Sequence, residues 1–155
     1  MKEYKIYHEI INNNKYKREM EYMQHGDYSV YDHSINVANT CLMISKKLKL
    51  NVEIDSLIKG ALLHDYFLYD WHDKDSKHKF HAIDHARKAK DNSIRDFGLT
   101  KKEENMILSH MFPLGLVIPK YKESIILCLA DKYCALSEVL NSNYYYRKAK
   151  EWVQS

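Results

Sequence analysis

Four of the nine histidines, His33, His64, His85 and His110, lie within or at the ends of apolar helical stretches. Two aspartates share that setting. Asp65 follows Gly60-Ala61-Leu62-Leu63-His64, and Asp131 follows Ile125-Ile126-Leu127-Cys128-Leu129-Ala130. Burying a lone carboxylate is costly unless it is paired or binds a metal. Imidazoles and a cation supply such a partner. Each residue alone has an ordinary structural explanation: Asp131 could pair with Lys132 or a distant arginine, and His33 could bond a carbonyl near a helix start. As a set, four histidines and two aspartates on successive helices can converge only in a bundle core. A nitrogen- and oxygen-rich site of that size suits Fe, Mn, Ni, Co or Zn and can hold two ions.

The elements that must position these donors read as helices. A first helix is expected from about 3 to 23, with a polar middle at Asn12-Asn13-Asn14, and Gly26-Asp27 makes a turn. A second runs from Ser29 to Leu48. Asp55 is the expected N-cap of a third, Ser56 to His64, whose apolar residues are nearly continuous. Residues 66–80 read as a loop, with Lys74 to Lys79 a solvated run. A fourth helix runs from near Ile83 to Phe97 and ends at Gly98. Thr100 with Glu103 is a capping-box signature for a fifth, ending near His110. After the Pro113–Pro119 loop a long helix covers Lys122 to Asn141. The tail, with Tyr144-Tyr145-Tyr146 and Trp152, is expected to form one more.

The chain has 155 residues, enough for one domain with its own core. Glycine (4) and proline (2) are too scarce for a turn-rich β fold. The net charge of +3 is too small for a protein that coats nucleic acid, and no stable nucleic-acid partner is expected. Three cysteines, Cys41, Cys128 and Cys134, sit in apolar helical stretches and read as reduced core residues. No run approaches the ~20 apolar residues of a membrane span. The expectation is a cytoplasmic protein with no membrane partner.

The ordered set His33, His64-Asp65, His85, His110, Asp131 resembles the HD superfamily of metal-dependent phosphohydrolases. The likeness spans roughly residues 20 to 140. Gln24-His25-Gly26, Leu62-Leu63-His64-Asp65-Tyr66-Phe67, Ser109-His110-Met111-Phe112-Pro113 and Asp131-Lys132-Tyr133-Cys134 resemble a group of small bacterial HD-domain proteins. The resemblance implies an all-α, single-domain bundle of six to seven helices over 1–155, with a core at about 20–140 and a C-terminal helix at 143–155. It implies that His33, His64, Asp65 and Asp131 hold a first metal, and that Asp65 bridges to a second held by His85 and His110. His64 and Asp65 would then be the catalytic pair. Iron or manganese fits best, with nickel, cobalt, zinc and magnesium left open. His81, four residues before His85, shares its helix face and is an alternative ligand. His85 is favoured because it matches the family histidine that precedes an x-Arg pair, here Ala86-Arg87.

The pair His64-Asp65 is followed by Tyr66-Phe67, not Ile-Gly, and no Gly-Tyr-Pro motif occurs, so two known subgroups are excluded. The implied reaction is hydrolysis of a small phosphate ester, a nucleotide or a related molecule, as monoester or diester. The alternatives are a di-iron oxygenase of the same fold and a non-catalytic nucleotide-sensing module. Arg87, Lys132, Tyr66 and His81 are candidate substrate-binding residues, each balanced by a surface, ion-pair or packing role. Gln24 and His25 could orient a ligand. Tyr69 and Trp71 could line a pocket, and Tyr144-Tyr145-Tyr146 suits packing or a homodimer surface.

Overall fold

The computed structural model describes residues 4–25, 27–66 and 81–141, the side chains of 25 and 81–84 excepted. Among these it is an all-α bundle with one small hairpin. The helices are α1 (Lys5–Ile11), α2 (Val30–Lys47), α3 (Ile54–Leu63), α4 (His81–Phe97), α5 (Lys101–Ser109) and α6 (Lys122–Asn141). A 3-10 helix (Tyr16–Glu21) and an antiparallel pair, β1 (Met23–His25) and β2 (Tyr28–Ser29), lie between α1 and α2. The expected helix at 143–155 and the loop at 67–80, with Tyr69, Trp71 and Lys74 to Lys79, fall outside the described residues.

The N-terminal quarter departs from the single helix expected over 3–23. α1 stops at the asparagine run, where the Asn12 N–H donates to His8 O. Asn13 Oδ1 accepts from the Lys15 N–H at 2.8 Å. A short amide side chain that bonds nearby backbone competes with helix continuation. The chain then folds back as the 3-10 helix and the hairpin. That return brings Glu19 and Gln24 beneath the helices instead of leaving them along a solvated helix face.

Helix ends elsewhere follow local chemistry. Ser29 caps α2 reciprocally with Asp32: Ser29 Oγ accepts the Asp32 N–H, and the Ser29 N–H donates to Asp32 Oδ2. Thr100 and Glu103 form the same box at α5, as the sequence predicts. Gly98 closes α4 with φ +63°, a left-handed conformation that side chains disfavour. α3 begins two residues earlier than expected. Its N-cap is Glu53, not Asp55, and no side chain caps it. The Glu53 N–H is satisfied instead by Glu123 Oε1 at 2.8 Å, so a tertiary contact replaces the local cap.

α3 is the central element. Leu57, Ile58, Ala61, Leu62 and Leu63 are all fully buried. They pack with Val37, Ala38 and Cys41 of α2, Met106 and Ile107 of α5, and Leu127 and Ala130 of α6. Gly60 faces the Met106 side chain so closely that a Cβ there would meet its Sδ at 2.8 Å. This close approach sets the separation of the C-terminal ends of α3 and α5, where His64 and His110 sit. The three cysteines are buried and unpaired. No helix among the described residues is long and apolar enough to cross a membrane.

Candidate metal centre

His64 and His110 occupy equivalent places. Each is the residue just past a buried helix, α3 or α5, and each still has helical backbone angles. The last carbonyls of a helix lack an intrahelical partner. Here the histidine of the same turn supplies one. His64 Nδ1 donates to Ala61 O and His110 Nδ1 donates to Ile107 O, both at 2.7 Å. These bonds hold a proton on Nδ1 and turn Nε2 of each ring to the bundle interior.

His33 enters from the first turn of α2 and is fully buried. Its Nε2 stands 3.1 Å from Asp131 Oδ1, and its Nδ1 donates to Glu138 Oε2 at 2.7 Å. Asp131 and Glu138 are seven residues apart on α6. That is nearly two whole turns, so both carboxylates face His33. His64 Nε2 lies 3.5 Å from the same Asp131 oxygen. On the other side, His85 Nε2 and His110 Nε2 are 3.0 Å apart. Asp65 lies between the two sets. Its Oδ2 is 3.4 Å from His64 Nε2 and accepts from Gln24 Nε2 at 2.6 Å. Its Oδ1 is 3.5 Å from His85 Nε2 and 3.4 Å from His110 Nε2.

Two groups result: His33, His64 and Asp131; and Asp65, His85 and His110. In each, the donor atoms lie within 4.8 Å of one another, and all six residues are buried. His64 Nε2 and Asp65 Oδ1 have no hydrogen-bond partner although both are buried. Buried polar atoms are nearly always satisfied. The orphaned imidazole nitrogen belongs to the first group and the orphaned carboxylate oxygen faces the second, so each group has a buried donor atom that a cation would satisfy.

The protonation of these groups shows the same demand for positive charge. Burial alone would raise the carboxyl of Asp65, but the rings of His64, His110 and His85 outweigh it and hold it well below the usual carboxylate range. Asp131 is held low in the same way, against burial, by His33 and His64. Burial would lower His33, yet its bonds to Asp131 and Glu138 push it up to about 10. His110 is also raised against burial, through Asp65. With no metal the imidazolium protons balance the carboxylates. A divalent ion would take over that role.

The six expected ligands therefore converge. Gln24 bonds Asp65, as a ligand-orienting group would. The substrate-binding candidates are placed differently. Tyr66 is fully buried, its ring stacks on Tyr16 at 6.0 Å and meets Phe97 edge-on, and its hydroxyl donates to Asp96 Oδ2 at 3.1 Å. It packs the core instead of lining a pocket, because the chain turns inward after Asp65. Lys132 is turned away from Asp131 around α6, and its Nζ donates to His110 O at 3.0 Å and to Cys128 O at 3.3 Å. It ties α6 to the end of α5. Arg87 is exposed on α4. The side chains of His81 and His25 lie outside the described ones.

Two further buried carboxylates adjoin these groups, Glu138 through His33 and Glu19 through the charge of Asp65. Glu138 is legible in the sequence as Asp131 plus seven on the same helix. Glu19 carries no such signal, because residues 3 to 23 read as one continuous helix. It is fully buried, neither carboxylate oxygen has a hydrogen-bond partner, and burial and then Asp65 push its carboxyl well above the ordinary range.

A family model described as the HD domain matches residues 30–136 of the chain. No curated protein and no solved structure matches it.

Proposed function

The chain belongs to the HD-domain family, and on that premise we propose that it is a phosphohydrolase that cleaves a small phosphate ester, a nucleotide or a close relative, at a two-metal centre. The observation that carries this reading is the position of Asp65. One carboxylate oxygen faces His64 of the first group, and the other faces His85 and His110 of the second. His33, His64 and Asp131 would hold one ion, His85 and His110 the other, and Asp65 both. Iron or manganese suits this donor set best.

Divalent ions in such a centre make water nucleophilic at neutral pH and neutralise charge on a phosphate. The chain's own residues prepare the site. The Nδ1 atoms of His64 and His110 donate to Ala61 O and Ile107 O, so Nε2 is the atom that each ring presents to a cation. Gln24 holds Oδ2 of Asp65 and so fixes the plane of the carboxylate, leaving Oδ1 turned toward the second group. No serine or cysteine nucleophile is needed. Arg87 and His81, on the helix that carries His85, are the residues proposed to meet the ester. The buried, unpaired cysteines support a reducing compartment such as the cytoplasm.

The test is metal analysis of natively purified protein, followed by assays of mono-, di- and cyclic nucleotides with Mn, Fe, Ni, Co and Mg in turn. The expected outcome is bound metal and metal-dependent phosphate or nucleotide release, both lost in His64→Ala and Asp65→Ala. Full hydrolysis by metal-free protein would sink the reading. Coloured, paramagnetic iron with oxygen uptake and no hydrolysis would replace it with the oxygenase.

A further inference from the structure

Of the three histidines with a described Nδ1 partner, two use a backbone carbonyl of their own turn. His33 alone uses a carboxylate from another helix, Glu138 Oε2 at 2.7 Å. Glu138 is 3% exposed, and its second oxygen accepts from Asn36 Nδ2 at 2.9 Å. Asn36 lies three residues after His33 on α2, so one carboxylate clamps two successive positions on that helix face.

We propose that Glu138 is a positioning residue of the metal centre, which holds the His33 ring through Nδ1 and makes the His33–His64–Asp131 group the tighter of the two. The inference rests on the metal reading above. Its physical basis is twofold. A charge-assisted bond fixes the ring more strongly than a bond to a neutral carbonyl. A negative charge behind the imidazole also makes Nε2 a better electron donor to a cation. His64 and His110 have only carbonyl dipoles behind them. A buried carboxylate bonded to a neutral amide is costly, and a cation held through the intervening ring offsets that cost.

The structure also makes the residue testable. Glu138 borders a surface groove of about 240 Å³, lined also by Tyr28, Asn39, Thr40, Tyr133 and Ser137. A changed side chain there opens on solvent and not on a sealed cavity. Glu138→Gln keeps the shape and removes the charge.

The experiment is calorimetric titration of Mn and Co into metal-stripped full-length wild type and Glu138→Gln, with circular dichroism and melting of both. Wild type should bind in two steps. In Glu138→Gln the tighter step should weaken roughly 10–100-fold, the range for loss of a partner behind a ligating histidine. The weaker step should hold, and the visible spectrum of the first cobalt bound should shift. Asn36→Ala, which loosens Glu138 without touching its charge, should weaken the same step less. Wild-type affinities in both variants, or a lower melting temperature with both affinities intact, would overturn the proposal while leaving the metal reading standing. Failure of the wild type to bind any divalent ion would overturn both.

Discussion

The Nε2 atoms of His85 and His110 face each other 3.0 Å apart across α4 and α5. Two imidazole lone pairs at that separation repel, so a proton or a cation must sit with them. Asp65 Oδ1 lies within 3.5 Å of both nitrogens and completes the group. Removing either ring leaves too few donors there while sparing His33, His64 and Asp131. His85→Ala and His110→Ala are each expected to lower metal content from about two ions per chain to about one. Elemental analysis after native purification reads this, and unchanged stoichiometry counts against the two-group reading.

Metal uptake should release protons. Asp131 and Glu138 hold His33 protonated up to about 10, and His110 is raised by Asp65. A divalent ion must displace those protons, so apparent affinity should rise with pH through neutrality and level off near 10. Calorimetry in buffers of different ionisation heat counts the protons released. The metal-free protein should show the opposite trend. A histidine whose folded value lies above its ordinary 6.5 contributes stability in full below 6.5, and that stability is lost as pH rises toward 10. Thermal melting of metal-stripped protein across that window checks the sign.

Glu19 should limit the stability of the metal-free protein. Its carboxyl is pushed well above the ordinary 4.5, first by burial and then by Asp65. Above 4.5 the unfolded chain loses the proton that the folded chain keeps, so the cost of burying Glu19 grows with pH. Glu19→Gln is expected to stabilise the metal-free protein by roughly 1–3 kcal/mol near neutrality. Near pH 4 it should do little. Denaturant unfolding at the two pH values distinguishes this from a general packing gain, which would be equal at both.

Tyr66 separates packing from substrate contact. Its hydroxyl bonds Asp96, which Lys15 and Arg95 also hold at 2.6 and 2.7 Å. Tyr66→Phe should cost about 1 kcal/mol of stability, with metal content and KM unchanged. A raised KM at unchanged stability would return Tyr66 to the substrate pocket.

Most of the helical framework was legible because its signals are local. The Thr100 cap, the stop at Gly98 and the apolar run of α3 each depend on a few neighbouring residues. The break after α1 was not legible, since three asparagines fit a polar helix face as well as a terminus. The start of α3 was misread for a different reason. Its first free N–H is satisfied by Glu123, from a helix 70 residues away.

The sequence by itself determined the donor chemistry: four histidines and two aspartates placed by helical spacing where they must be buried. Only the tertiary structure decided how they divide. It assigned His33 to Asp131 across 98 residues and to Glu138 across 105. It also set Asp65 between His64 and the pair His85 and His110. Residue type fixes which atoms can donate, but grouping depends on the packing of α2, α3, α4, α5 and α6, and no local spacing encodes that register.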